Sequence, residues 1–467
     1  MKTFANDPSS VRSPSLPMMV CALGLATALA AADAAPQAQA PDWLARPLSL
    51  ADCLNLALEL NAAVLKSKKD LQAAHGVVIQ TRAIVIPKLR VTGDYAISDP
   101  AAVEKLEFTP PPGLGLGNLG GIDPSNQRWA GNIRLVQSIY EGGRLSSAWR
   151  TAKLTKEQAM LQHQAVVADT ALDVRVAYYD VLLAAQQITV SEASLELLGK
   201  ELDDTNRRYL AGTVPRFNVL RAEVEQANAR PRLIRAKNAH RIAKNSLAHL
   251  LGYHVPKEVW EDLPLTLTGT LETEKAEIEL PAAIAQALEK RPELGALRKA
   301  EELRREGIVT AKAGYRPSLQ AFGGYGSHSS SFFSDLSRDI SGWQAGVQLS
   351  WDLFDGGLTR GKVSQARALH EKAQVEIDDA KRRIELEVRT AYSNLLEAWE
   401  VLESQKKVQE QAQEALRLAR VRAEAGTGTQ LDVLSAQTAL TEARTTQIQA
   451  QRDYAVARAR LERAMGQ

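Results

Sequence analysis

The chain carries one pattern twice. Leu50, Pro87, Gly93 and Tyr95 recur as Leu280, Pro317, Gly323 and Tyr325, at a constant offset of 230. From Trp129 onward the offset is 214: Trp129, Gly142, Gly143, Tyr178, Gly212, Leu220 and Gly252 recur as Trp343, Gly356, Gly357, Tyr392, Gly426, Leu434 and Gly466. The offset changes once, by 16 residues, between Tyr95 and Trp129. Insertions are tolerated where little is packed, so that interval is expected to be a solvent loop. The duplication argues for one body of two similar halves: a first repeat at 48–252, a connector at 253–279 and a second repeat at 280–467.

A formal net charge of +2, with charges of both signs interspersed, leaves no basic footprint, so nucleic acid is not expected as a partner. Aromatics at 5 % are few for a thick globular core, and long stretches of Ala, Leu, Glu, Gln, Arg and Lys point to long helices or coiled coils. The N-terminus reads as an export signal at 1–34. Lys2 and Arg12 precede an apolar run from Met18 to Ala32, and small-x-small cleavage points follow Ala30, Ala34 and Ala40. That run falls short of the ~20 residues a bilayer-spanning helix needs, and Met18-Met19-Val20 before Cys21 is a poor lipidation match. Cleavage would leave Cys53 alone, expected as a small buried hydrophobe. With no second long apolar stretch, an exported chain of this kind would cross a membrane only with β-strands.

Each repeat opens with a helical pattern, Leu50 to Val64 in the first and Leu280-Pro281 onward in the second, where Pro292 should divide it into a short and a longer helix. After Pro87 and Pro317 the period changes from 3.6 to 2. Leu89, Val91, Gly93, Tyr95 and Ile97 alternate with Arg90, Thr92, Asp94 and Ser98. The second repeat shows the same in Leu319 to Tyr325 and in Trp343, Ala345, Val347, Leu349, Trp351 and Leu353. These are strands with one oily and one wet face, in hairpins at 88–140 and 318–354. Ten residues at ~3.3 Å each reach about 33 Å, enough to cross a bilayer core. Gly115-x-Gly117-x-x-Gly120 spells a dinucleotide fingerprint, but a strand and not a helix follows it, so a flexible hairpin loop is the better reading.

After each Gly-Gly pair the pattern is helical for some 67 and 64 residues, a length of roughly 100 Å. A heptad stripe, Val167, Ala171, Val174, Tyr178, Val181, Ala185 and Ile188, continues in Leu195, Leu198 and Leu202. It recurs as Val388, Tyr392, Leu395, Trp399 and Leu402. Turns at Ala211-Gly212-Thr213 and Ala425-Gly426-Thr427 send the chain back, and Thr429 with Asp432 matches a capping box. Return helices at 216–252 and 430–466 end about halfway back, with Pro231 expected to kink the first. The connector would then leave from the waist of a rod.

Four amphipathic strands are too few for a barrel, which needs about eight, and open edges in lipid are forbidden. Several copies must therefore contribute to one barrel, two, three or four. A barrel with wet inner faces conducts; the alternative is a non-conducting coiled-coil envelope scaffold. The seven His show no metal-ligand spacing, no nucleophile turn frames Ser, Asp and His, and no phosphate-binding loop is present. The chain is thus read as no enzyme, with no catalytic, cofactor-binding or metal residues and no cofactor.

Over about 48–467 the sequence resembles the TolC-type outer-membrane factor family. The resemblance rests on Leu48-Ser49-Leu50-Ala51, Arg316-Pro317-Ser318-Leu319, Leu353-Phe354-Asp355-Gly356-Gly357 and Ala425-Gly426-Thr427 followed by Leu431-Asp432-Val433-Leu434. It implies a mostly α fold with a membrane β-barrel: a homotrimer with a twelve-stranded barrel in outer-membrane lipid and a helical tunnel across the periplasm. The implied function is the exit duct of a tripartite efflux pump, with a periplasmic adaptor (membrane fusion) protein and an inner-membrane transporter as partners; a type I protein secretion channel is the alternative. By the same resemblance Gly212, Thr213, Gly426 and Thr427 are the adaptor-contacting turns, and Asp432 is the entrance or gate candidate. The first repeat has Asn218 at the position of Asp432. The position after it that is often acidic is Ser435, and the family's latch Tyr and Arg align with Ala423 and Gly428. An ionic and aromatic latch is therefore not expected, and Asp432 has a purely structural reading as a helix cap.

Overall fold

The computed structural model describes residues 42–44, 46–99, 127–253, 262–271, 274–329 and 340–467. The export signal read at 1–34 and the glycine-rich stretch at 113–121 lie outside them. The elements run α1 (Leu50–Leu60), α2 (Ala62–Arg82), β1 (Lys88–Ile97), β2 (Gln127–Glu141), α3 (Arg144–Leu210), α4 (Arg216–Leu250), α5 (Leu280–Lys290), α6 (Pro292–Lys312), β3 (Ser318–Ser329), β4 (Ile340–Ser350), α7 (Leu358–Glu424) and α8 (Gln430–Ala464). Corresponding helices have equal lengths: 11 residues in α1 and α5, 21 in α2 and α6, 67 in α3 and α7, and 35 in α4 and α8.

Each long helix starts where two consecutive glycines turn the strand segment through left-handed backbone, φ 62° and 100° at Gly142 and Gly143, 66° and 90° at Gly356 and Gly357. Only glycine occupies such a pair without Cβ strain. α7 begins at Leu358 and incorporates Gly361, four residues earlier than the glycine-free stretch suggested. α3 and α7 run the full length of the helical part, and the shorter helices flank them in two tiers. α2, α3, α6 and α7 are neighbours in one tier, and α4, α3, α8 and α7 in the other. Where the tiers meet, helix ends abut. A Cβ on Gly252, just past α4, would lie 2.4 Å from the Leu60 carbonyl oxygen, and one on Gly466, past α8, 3.1 Å from the Arg291 nitrogen. Both glycines have positive φ, so α4 and α8 stop two residues before them, at Leu250 and Ala464.

The opening helix is divided in both repeats, not only at Pro292. Arg291 is extended (ψ 122°) because a residue before proline is driven from the helical region. Asn61, 230 positions earlier, is extended as well (ψ 132°) without any proline. Its Oδ1 accepts from the Ala63 and Val64 nitrogens, and its Nδ2 donates to the Leu250 carbonyl at 2.7 Å. One buried amide thereby caps α2 and receives the end of α4.

Two core clusters repeat each other. Cys53, Ala57, Val174, Tyr178, Val181 and Leu247 gather in one, and Ala283, Ala287, Val388, Tyr392, Leu395 and Leu461 occupy the equivalent places in the other. The heptad stripe is thus buried or half-buried against α1 or α5 and the return helices. Tyr178 Oη donates to the Thr268 carbonyl, and Tyr454 Oη donates to that of Glu274 at 2.6 Å, which ties the connector to the waist. Cys53 is fully buried, and burial, with Asp52 nearby, pushes its thiol up to about 12. α4 continues through Pro231 as one element.

Replacing Asn61 tests the junction. Asn61→Ala should destabilise the protein by about 1–2 kcal/mol, as expected for a lost N-cap. Asn61→Asp, which keeps the cap acceptor but not the donor to Leu250, should fall between. Thermal unfolding midpoints of the three proteins decide it; equal midpoints would refute the role given to this amide.

Candidate functional site: strand wall and helical tips

The four strands form one antiparallel sheet in the order β1-β2-β3-β4, so the two hairpins are joined through β2 and β3. Register aligns side chains across all four strands. Val91, Ile133, Tyr325 and Trp343 form one apolar row, and Leu89, Leu135, Gly323 and Ala345 the next. A bulge between Ser138 and Tyr140 absorbs one residue of β2, which keeps Tyr140 opposite Leu319 and Leu349 on the apolar face. The reverse face carries Arg90, Arg134 and Gln344 in one row and Ser138, Gln320 and Gln348 in another. Arg134 lies over the Phe322 ring at 4.6 Å.

β2 is longer than the sequence pattern implied, and β4 ends at Ser350, so Trp351 and Leu353 lie beyond the strand. The indole nitrogen of Trp351 instead donates to the Tyr315 carbonyl at 3.2 Å. Among the described residues the oily face of the single chain has nothing to pack against: Val91 is 71 % exposed and Trp343 81 %. No helix is long and apolar enough to cross a membrane among the described residues. At ~3.3 Å per residue, strands of 10 to 15 residues are long enough.

At the far end of the long helices lie the two reverse turns. Gly212 and Gly426 have φ 75° and 74°, and their neighbours close the preceding helix. The Thr213 nitrogen donates to the Arg208 carbonyl and the Thr427 nitrogen to that of Arg422, both at 2.9 Å. The threonine hydroxyls donate to the same two carbonyls. The next helices start differently. α8 has a capping box in which Thr429 N and Oγ1 donate to Asp432 Oδ2, at 2.9 and 2.8 Å, and Asp432 N donates to Thr429 Oγ1 at 3.2 Å. These bonds, with Arg422 nearby, hold the exposed Asp432 carboxyl below its ordinary value. α4 begins at Arg216, and Pro215 before it offers no side-chain cap.

A cleft of about 750 Å³ separates the two tips, lined by Arg208, Thr213, Asn218, Arg420, Gly428 and Gln430 among others. The structure thus brings Thr213 together with the second tip, while Asp432 is not part of this lining. Sequence reasoning did not single out Arg208, Arg221 and Arg420, which also line the cleft, although four arginines without an acid between 207 and 221 were visible. It also missed Gln430, whose Nε2 donates to the buried Thr205 hydroxyl and fastens α8 to α3.

An amphipathic sheet with two open edges, mounted on helices of roughly 100 Å, defines a membrane-anchored helical duct. The chain matches the family model described as outer membrane efflux protein over residues 53–253 and 283–467, and it belongs to that family. It is similar to outer membrane protein TolC of Escherichia coli, 24 % identical over 419 residues, covering 87 % of this chain and 80 % of that one. It is also similar to the cobalt-zinc-cadmium resistance protein CzcC of Cupriavidus metallidurans, 24 % identical with 86 % of each chain covered. Among solved structures, CusC superimposes with a TM-score of 0.74 at 19 % identity, covering 92 % of this chain and 95 % of that one. The Campylobacter jejuni CmeC channel gives 0.72 at 15 %, covering 89 % and 85 %. The protein is accordingly an outer-membrane efflux duct whose helices extend into the periplasm.

The capping box has a pH consequence. Because the folded-state value of Asp432 is lowered, its contribution is complete above the ordinary carboxylate range near ~3.9 and is lost as pH falls through the lower folded value. Amide protection in the first turn of α8, relative to the intrinsic exchange rate at each pH, should therefore fall at strongly acid pH in the native protein. In Asp432→Ala it should already be low at pH 7. Protection that is identical in the two proteins would refute the cap.

Proposed function

We propose that three copies close a twelve-stranded barrel in outer-membrane lipid and form a passive exit duct for a periplasmic adaptor and an inner-membrane transporter. The observation that carries this reading is the single-sided oiliness of the four registered strands. Each edge, β1 and β4, presents backbone groups that lipid cannot satisfy, and pairing β4 of one copy with β1 of the next satisfies both. The polar rows then face the bore, which favours conduction over a scaffold role. Neither repeat carries a nucleotide-binding loop, so the driving energy comes from the transporter.

The turns at Gly212 and Thr213 and at Gly426 and Thr427 are the contacts for the adaptor, since they form the end of the duct and all four residues are exposed. Asp432 has two roles at this end. Its Oδ2 holds the cap, and its Oδ1, without a hydrogen bond among the described residues, is left to meet cations at the entrance.

Purified protein in planar bilayers should give small, mostly closed conductances, and Asp432→Ala should raise them or reduce cation preference. No change in either quantity would remove Asp432 from the entrance. Spin labels at Trp343 and Leu349 should be accessible to oxygen dissolved in lipid, and one at Gln344 to a water-soluble nickel chelate. The opposite pattern would invert the barrel and end the reading.

A further inference from the structure

At the waist, α7 and α8 enclose a groove of about 770 Å³ with Leu172 of α3 at its edge. That size is typical of small-molecule sites. Its floor is apolar, with Leu386, Ala391, Ala398, Val401 and Val456, and two of these are unusually exposed, Leu386 at 66 % and Val401 at 43 %. The groove opens away from α5. Ile384, Val388 and Leu395 pack into the cluster that holds α5, whereas the groove residues Leu386, Thr390 and Glu397 each follow one of them by two positions, about 200° around the helix.

Most charges lining the groove are already committed within the fold. Glu387 accepts from Arg291 at 2.6 and 3.1 Å, and Arg452 bridges Asp180 and Asp453 at 2.7 and 2.9 Å. Arg463 holds Asp169 and Glu293, and Arg383 holds Asp379 at 2.6 Å. Two remain. Arg460 on α8 and Glu397 on α7 line the groove and have no ion-pair or hydrogen-bond partner among the described residues. Their spacing follows from the helix register. Thr446 Oγ1 donates to Gln405 Oε1 at 3.0 Å, which puts those residues at one level. Glu397 lies eight residues back along α7, ~12 Å, and Arg460 fourteen onward along the antiparallel α8, ~21 Å in the same direction, so the two charges stand about 9 Å apart along the axis.

We propose that this groove binds an elongated zwitterion with an apolar body, its anionic group at Arg460 and its cationic group at Glu397. A singly charged amphiphile leaves one of the two without a counter-charge, while a zwitterion of matching length answers both and lies over the apolar floor between them, at Ala391 and Ala398. The binding site is complete within one chain. Its position on the bore, where passing cargo would meet it, rests on the duct reading above.

The test uses three naphthalene compounds on the full-length protein in lipid nanodiscs: 6-(aminomethyl)naphthalene-2-carboxylate, 2-naphthoate and 2-naphthylmethylammonium. Calorimetric titration should show the zwitterion binding about ten-fold tighter than either analogue. Arg460→Gln should abolish its advantage over the cation, Glu397→Gln its advantage over the anion, and the exchange Arg460→Glu with Glu397→Arg should restore binding. All four proteins should melt alike, because neither side chain holds the fold. Equal affinity for the three compounds, or affinity unmoved by both single variants, would overturn the proposal. In bilayer recordings the zwitterion should reduce the wild-type current and spare Arg460→Gln. Selective binding without any current would refute the duct reading and leave the site standing, and unreduced current would take the groove off the bore.

Discussion

A strand edge cannot end in lipid. Water satisfies the outer backbone groups of an edge strand in a soluble sheet, but the hydrocarbon core offers no such partner, and each unpaired group costs several kcal/mol. β1, of 10 residues, and β4, of 11, each turn the N–H and C=O of alternate residues outward, about ten such groups per edge. The sheet order β1-β2-β3-β4 leaves these two strands outermost, and their antiparallel sense permits one to pair with the other in a second copy. On the proposed ring, assembly is therefore a condition of membrane insertion and not a later embellishment. The sheet cannot be a membrane structure and a monomer at once.

Closure at the strands also sets the course of the helices below them. Each long helix is launched through a pair of left-handed glycines, directly after β2 in the first repeat and seven residues past β4 in the second, where Asp355 accepts from the Gly357 and Thr359 nitrogens and fixes the start of α7. Helices launched from a ring continue it as a tube. The tube is kept intact at mid-length by helix ends that meet without a gap: Gly252 leaves no room for a side chain beside Leu60, and Asn61 satisfies both sides of that joint. Ion pairs serve the other column, where the largely buried Arg463 at the end of α8 reaches the more exposed Asp169 of α3 and Glu293 of α6. Two joints with different chemistry thus hold the same geometry.

The sequence exposed the duplication, the switch of period at Pro87 and Pro317, the long helices and the apolar strand faces, because each is a periodic signal maintained over many residues. It was silent where one residue decides. Asn61 divides the first opening helix with a single amide whose meaning depends on Leu250, 189 positions away. The bulge at Ser138 and Tyr140 changes which residues of β2 face lipid, and no local pattern announces it. The two turns and the Thr429–Asp432 cap were legible since turns and caps are local chemistry. Gln430 and the cleft arginines were not, because their importance comes from the second hairpin lying beside the first.

Comparison of the two repeats separates what the fold requires from what is free to specialise. Both keep the Gly-Gly launch, the Gly-Thr turn, the terminal glycine and the core tyrosine, and each of these either adopts a backbone geometry other residues resist or fills the waist. They differ at Asn61 and Arg291, at Asn218 and Asp432, and at Pro231 and Thr445. None of these differences moves a helix boundary, since the lengths agree in all four pairs. The uncommitted pair Glu397 and Arg460 obeys the same rule: its counterparts 214 positions earlier are Leu183 and Ser246, which could not build a charged groove. In the proposed ring of identical chains, such unequal halves alternate two chemistries around the wall. The duplication supplies the circumference, and the divergence confines binding to one half of each copy.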